Sequence, residues 1–423
     1  MKRNWNQGVF RHLLCILVIL VTLFFICETI ATAQTTIKYS NWQFLEPGRG
    51  EVLEEIIKAF EEKTGVKVER ISIPYSSYND TLTTQFEAGY GPDIVFVQDS
   101  TLIPWMKKGY FTDLDSLINL ERYAADFPVQ QSYGIMDGKT FAILYEGFPY
   151  AGMVYNKELL EKAGVNVPTT PEELVLVSEA VFQATGKYGL IQRTDLSNLE
   201  YLFNGAIIII YGFGGRVVND KGEFTVNSPD FINGVEYFRR IYNLKSTPAG
   251  MPYGVQREMF LRGEAAITFE GSFWPPIIKM NNPELYGKIG VAKFPFPDPA
   301  SPFETNWYAI NAKSKNKEAA SKFLEFMLEP ENANRWAVAS AIPGLKFTYE
   351  AVVEEYPWFQ VYAEAAPYGV VQFLSRREKE TPEIRKMVAE AIAYAISGQI
   401  SPKDAMEKLQ KDLESRFGKE PTT

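Results

Sequence analysis

Asp93-Ile94-Val95-Phe96-Val97 sets four consecutive apolar residues behind a carboxylate, directly after Gly91-Pro92. A run this short, bounded by a turn signal, reads as a strand buried on both faces, the kind found where helices cover both sides of a sheet. Upstream, residues 80–88 read as a helix and 67–73 alternate as a strand. Residues 51–64 place Val52, Leu53, Ile56, Ile57 and Phe60 at helical spacing until Gly65 stops them, and Ile37-Lys38-Tyr39-Ser40 is a further short strand. The order β-α-β-α-β predicts a doubly wound α/β sheet.

Downstream the pattern restarts after a break expected over residues 145–149. Thr170-Pro171-Glu172-Glu173 is a capping box with proline at the first helical position, so a second α/β unit is predicted to begin there. Residues 218–224 predict a hairpin, Ser228-Pro229-Asp230 a helix start, and 288–293 a strand. The proline-rich stretch 294–302 that follows reads as a second crossover between lobes. The C-terminal third is predicted to be mostly helical, with starts at Asn316, Pro330, Pro382 and Pro402. Ala206-Ile207-Ile208-Ile209-Ile210-Tyr211 is apolar but ends at Gly212, too short to span a bilayer, and reads as core.

The first 33 residues read as a secretory signal peptide. Lys2, Arg3 and Arg11 precede an apolar run of 14 residues, 13–26, and Ala31-Thr32-Ala33 supplies a cleavage site. Lipid anchoring through Cys27 is not expected, because Phe24-Phe25-Ile26 puts bulk where small residues belong. The segment contains His12, the only histidine, and both cysteines, Cys15 and Cys27, so the remaining 390 residues carry neither type. That excludes disulfides, thiol and Ser-His nucleophiles, and His or Cys metal ligands; no catalytic residue, metal or cofactor is expected. The charge balance of 43 basic to 52 acidic residues becomes 40 to 51, about −11, which disfavours nucleic acid and anionic membranes. A chain of 390 residues exceeds what one core organises, so two domains are expected.

Two short motifs resemble catalytic signatures without matching them. Gly134-Ile135-Met136-Asp137-Gly138-Lys139-Thr140 has three residues between its glycines where a phosphate-binding loop needs four, and reads as a hairpin turn. Ser314-Lys315-Asn316-Lys317 and Lys63-Thr64-Gly65 occur in the wrong order for a penicillin-recognising enzyme. They read instead as a polar loop capping the helix at Asn316 and as a helix C-terminus. Asp99, Glu146 and Glu270, near predicted strand ends, are candidate paired carboxylates of a glycosidase. Aromatic residues make up 14% of the chain. Phe60, Phe238 and Phe323 sit on apolar helix faces and are assigned to cores. Trp42, Phe273, Trp274 and Trp307 fall instead at strand ends or beside glycine, proline or asparagine, where a cleft belongs.

Gly91-Pro92-Asp93-Ile94-Val95, the stretch Val154-Tyr155-Asn156-Lys157-Glu158-Leu159-Leu160 through Gly164 with the Thr-Pro-Glu-Glu box, and Phe260-Leu261-Arg262-Gly263-Glu264-Ala265-Ala266-Ile267 with Gly271 closely resemble the solute-binding proteins of sugar importers, the maltose/trehalose-type receptors. Ser397-Gly398-Gln399-Ile400-Ser401-Pro402 is similar to their last helical hairpin. The resemblance implies a two-lobe, type II periplasmic-binding-protein-like α/β fold, each lobe a sheet flanked by helices, with the ligand cleft between lobes. It divides the chain into a first lobe at 34–146 and 304–355 and a second at 147–303, with mainly second-lobe helices at 356–423.

The function implied is capture of a small carbohydrate, mono- to oligosaccharide, outside the cytoplasmic membrane. Delivery would be to the transmembrane permease subunits of an ATP-binding-cassette importer by a monomeric, non-catalytic protein. Carried over, the resemblance assigns ligand binding to Trp42, Gln43, Asp99, Tyr150, Glu270, Phe273, Trp274 and Trp307, with Phe273-Trp274 as an aromatic platform for a sugar ring. Arg376-Arg377 stands where some relatives have an arginine, and Arg377 is included on that ground. The aromatic of maltose receptors near the final helices is replaced around Ile384 and Arg385. Two other functions fit these residues: the same scaffold holding a phosphorylated polyol or other organic anion, with Arg377 toward the phosphate, and a secreted glycosidase.

Overall fold

The structure, a computed structural model, describes residues 34–371 and 374–421; the expected signal peptide, with Cys27, lies outside them. Ten strands carry the fold. They are β1 (Thr36–Ser40), β2 (Lys67–Ile71), β3 (Ile94–Gln98), β4 (Ile143–Pro149), β5 (Gly152–Asn156), β6 (Tyr188–Ile191), β7 (Ala265–Glu270), β8 (Ile289–Lys293), β9 (Ser301–Ile310) and β10 (Gly369–Val371). One sheet runs β10-β9-β3-β1-β2 with β4 paired to β9, and the other runs β8-β5-β7-β6. β1 is parallel to β2 and β3, while β9 runs antiparallel to β3 and β4. The run 94–97 is wholly buried between β1 and β9, as a strand covered on both faces must be.

The helices follow their local signals closely. Helix α1 (Arg49–Thr64) buries Leu53, Ile56, Ile57 and Phe60 and ends at Gly65 in the left-handed conformation. Helices α2 (Tyr78–Glu87) and α3 (Asp99–Lys107) flank β3 in sequence. In α4 (Pro171–Thr185), Thr170 Oγ1 accepts from Glu173 N, but Glu173 reaches back to Thr169 N rather than to Thr170, a box displaced by one residue. The isoleucine run lies in α5 (Leu199–Gly212) at the heart of the second core cluster, beside α6 (Pro229–Tyr242). Helices Lys317–Leu328, Pro330–Ser340, Thr381–Ile396 and Pro402–Phe417 begin at or within one residue of the predicted starts. Among the described residues no helix is long and apolar enough to cross a membrane.

Three local expectations change. The break at 145–149 is instead strand β4, buried along its full length, and the chain leaves the first sheet only through Tyr150-Ala151. The apolar and aromatic residues of β4 pair with β9, so what reads as an interruption is a shared strand. Within 356–423, expected to hold mainly second-lobe helices, the short strand β10 returns to the first sheet beside β9. Asn316 precedes its helix without capping it; its amide donates to Thr36 O and Asp93, and Ser314 Oγ accepts from Asn316 N. The glycine motif at 134–140 is the expected hairpin, with Asp137 and Gly138 both at positive φ.

At the start of β5 the packing is close. A Cβ on Gly152 would lie 2.0 Å from the Tyr362 hydroxyl, which donates to the carbonyls of Glu270 and Gly271. Only glycine lets this tyrosine brace the start of β5.

Arg377 does not face the cleft. Its guanidinium donates to the carbonyls of Gly222, Phe417, Gly418 and Lys419 and stacks 4.0 Å from the Phe224 ring. These acceptors are orphan carbonyls at a helix end and a turn, which a planar five-donor fork satisfies together. Arg377→Met is expected to lower unfolding free energy by about 3 kcal/mol, since charge-assisted bonds are lost. Urea denaturation checks this, and an unchanged midpoint would remove the clamp role.

Candidate functional site

A cavity of about 840 Å³ opens where the strands of the two sheets end, with walls from both. The first wall starts at the turn after β1. Asn41 Oδ1 accepts from Gln43 N at 2.8 Å, and its amide donates to Gln43 Oε1 at 3.1 Å, which aims Gln43 Nε2 at Glu146 on β4, 2.9 Å away. Asn306 Nδ2 at 2.7 Å and Trp336 Nε1 at 3.1 Å complete the shell of Glu146. All three donors are neutral, and burial pushes the Glu146 carboxyl above its ordinary range against the partial offset of Arg49. Trp42 lines the same wall but is packed against Phe96 at 4.8 Å and Tyr78 at 4.9 Å, with Tyr75 at its outer edge.

The second wall is aromatic and cationic. Arg193, just past β6, lies between the rings of Tyr150 at 4.9 Å and Tyr253 at 4.2 Å. Its close packing depends on Gly205 of α5, where a Cβ would meet Arg193 O at 2.3 Å. Glu270, at the end of β7, is fully buried behind this wall. It takes Arg193 and Arg257, each at 3.3 Å, and the Tyr253 hydroxyl. Phe273 faces the cavity and joins Phe148 at 5.3 Å and Tyr150 at 6.1 Å.

Between the walls lies a third group. Asp99, the first residue of α3, is nine-tenths buried, and Glu304 of β9 accepts the Tyr150 hydroxyl at 2.5 Å. Burial, and then Glu304, push the Asp99 carboxyl up to about 7, with Arg385 acting against them. Burial likewise raises Glu304, opposed first by the Tyr150 hydroxyl.

Of the nine residues assigned to ligand binding from the sequence, Trp42, Gln43, Asp99, Tyr150 and Phe273 face the cavity, whereas Glu270, Trp274, Trp307 and Arg377 do not; the candidate carboxylate Glu146 also lines it. Trp274 opens the helix Trp274–Asn281. It is 1% exposed among Phe260, Ile278 and Leu285, with Arg257 4.5 Å above its ring. Successive residues at a helix start diverge by about 100°, so Phe273 and Trp274 cannot share a platform. Trp307 is fully buried in the first core, its Nε1 donating to Thr305 Oγ1 at 2.9 Å. Glu304 and Asn306 occupy the cavity face of β9, and alternation sends Thr305 and Trp307 to the other. Sequence reasoning missed Glu304, Asn306, Arg193, Tyr253 and Arg257 and noted Arg385 only as a replacement. The strand alternation beside Trp307 is the signal that would have found the first two.

A family model, bacterial extracellular solute-binding protein, matches residues 46–334. The chain belongs to that family. This solute-binding protein is 23% identical over 391 residues to the galactooligosaccharide-binding protein of Bacillus subtilis (strain 168), which covers 89% of this chain and 88% of the relative. It is 25% identical over 385 residues to a probable ABC transporter-binding protein of Deinococcus radiodurans, 85% of this chain and 88% of that one. In fold it resembles the GacH receptor of Streptomyces glaucescens, with a TM-score of 0.79 at 21% identity over 90% of this chain and 98% of the other. Maltose-bound T. maritima MalE3 gives 0.75 at 22% identity, over 90% and 99%. The expected two-lobe binding-protein architecture is thus shown at the level of fold.

Two outcomes follow for the binding protein's variants. Trp274→Ala is expected to cost about 3 to 5 kcal/mol of folding stability, with ligand affinity changed less than threefold; a tenfold loss of affinity at unchanged melting temperature would return Trp274 to the cleft. Because the folded Asp99 carboxyl binds its proton more tightly than the unfolded one, its contribution to stability is present at acid pH and is lost as pH rises toward about 7. Asp99→Asn should therefore flatten the decline in unfolding free energy between about pH 4 and pH 7, and a parallel decline in wild type and variant would contradict this.

Proposed function

We propose that this protein is the receptor of an ATP-binding-cassette importer, capturing a mono- to oligosaccharide outside the cytoplasmic membrane and passing it to transmembrane permease subunits. The observation that carries the reading is a single cavity whose two walls divide the work of sugar recognition. Trp42 and Tyr75 on one side and Tyr150, Tyr253 and Phe273 on the other offer ring faces and edges to C–H surfaces. Asp99, Glu304, Asn306 and Arg385 offer directional partners to hydroxyls. Relatives named as binding galactooligosaccharide or maltose support the ligand class.

Among the rival readings, an organic anion is disfavoured because Arg193 and Arg257 are both paired with the buried Glu270, Arg377 is committed to backbone carbonyls, and Asp99, Glu304 and Glu200 line the same cavity. A glycosidase is disfavoured because Glu146 and Glu270 are held by buried hydrogen-bond networks and the family is one of binding proteins. The mature protein is assigned to the periplasm or outer cell surface as a monomer, with residues 1–33 as its export signal and no anchor at Cys27.

Closure about the connections at 150–151 and 294–300 would bring both walls onto the ligand, so ligand favours the closed arrangement. A saturating saccharide should raise the melting temperature, by linkage worth about 2.7 kcal/mol at a hundred times Kd, and reduce the radius of gyration in small-angle scattering. Tyr75, 60% exposed at the rim, should lose about five- to tenfold in affinity as Tyr75→Ala, the scale of one ring contact, with little change in the stability of the free protein. Calorimetric saturation with superimposable scattering curves would refute closure, and failure of any saccharide to bind would refute the ligand class.

A further inference from the structure

Most charges on the cavity wall are already matched. Glu46 pairs with Arg49 at 2.7 Å, Lys279 with Glu355 at 3.8 Å, and Glu270 holds both Arg193 and Arg257 from behind. Glu146 is satisfied by three neutral donors. Among the described residues lining the cavity, this leaves Asp99, Glu304 and Glu200 against Arg385, whose own hydrogen bond goes to the neutral Asn204 Oδ1 at 2.8 Å. Three carboxyls thus share Arg385 and the one positive charge that Arg193 and Arg257 keep beyond Glu270, which leaves one carboxyl in excess.

Within that group Asp99 stands out. It is nine-tenths buried, and its Oδ2 has no hydrogen-bond partner in the protein. A desolvated carboxylate oxygen left without a donor is costly, and neighbouring carboxyls of like charge add to the cost. The groups that act on Asp99 are Glu304, Glu200, Tyr75 and Arg385 with the Ser100 amide, so the negative side prevails. A neutral hydroxyl could donate one bond to Oδ2 but would leave the repulsion in place. An ammonium group supplies a charge-assisted bond and cancels the repulsion at once. A metal ion is the weaker occupant, since no cluster of three or more acidic side chains among the described residues is arranged to hold one.

We infer that the preferred ligand is a saccharide carrying a protonated amine, seated against Asp99, Glu304 and Glu200, an inference that rests on the carbohydrate reading above. Calorimetric titration with matched triplets tests it: glucose, glucosamine and N-acetylglucosamine, the corresponding galactose series, and their disaccharides, all near pH 7. N-acetylation keeps the nitrogen and removes its charge, so charge is isolated from shape.

In any series that binds, the amine form should be at least tenfold tighter than both neutral forms. Asp99→Asn and, independently, the exposed-site variant Glu200→Gln should each reduce that ratio. The ratio should also shrink near pH 5, where the Asp99 carboxyl has taken up its proton while the amine keeps its own. Neutral forms binding as tightly as the amine, or more tightly, would overturn the inference and leave the carbohydrate reading intact. Absence of binding by every saccharide would remove both.

Discussion

The cavity depends on the burial of Glu146. This carboxylate sits in the strand that ends the first sheet before the chain leaves for the second, and its donors come from the turn after β1, from β9 and from the helix Pro330–Ser340. A buried carboxylate cannot be left short of donors, so these four segments are held in one geometry. Two of the donors, Gln43 and Asn306, also line the cavity. Their side chains are therefore positioned before any ligand arrives. The same network ties together a wall that is built from loops and strand ends.

Glu270 performs the corresponding task on the other side. It is never in the cavity, but it fixes Arg193, Arg257 and Tyr253, and through them the rings of Tyr150 and Phe273. By pairing with both guanidiniums it also offsets half of their charge. The unmatched negative charge is concentrated at Asp99, Glu304 and Glu200, where burial and mutual repulsion raise the first two carboxyls. A site rich in arginine and glutamate thus presents an aromatic face backed by paired arginines on one side and an acidic group on the other.

Much of the architecture was legible in sequence because it arises from local signals. Proline at the first turn, a polar residue just before it and the 3.6-residue spacing of apolar side chains placed eight helices within a residue or two, and the run 94–97 announced a central strand. Composition limited the chemistry, and ordered motifs pointed to the family. Five of the nine residues assigned to ligand binding face the cavity, because strand ends and the turns after them gather at one edge of each sheet.

Tertiary structure alone decided the rest. Whether Phe273 or Trp274 faces the cleft depends on the phase of a helix start; whether Trp307 or Asn306 does depends on the phase of β9, where the register shifts between those two residues. Arg377 and Arg385 differ little as letters, yet one is spent on carbonyls near the C-terminus and the other looks into the cavity. The sequence by itself determined the elements, the family and the absence of histidine and cysteine after residue 33, since those follow from residue type and local spacing. Which acids and arginines pair, and which remain unmatched, was decided only when segments more than a hundred residues apart were brought together, because charge compensation acts through space and leaves no local pattern in the chain.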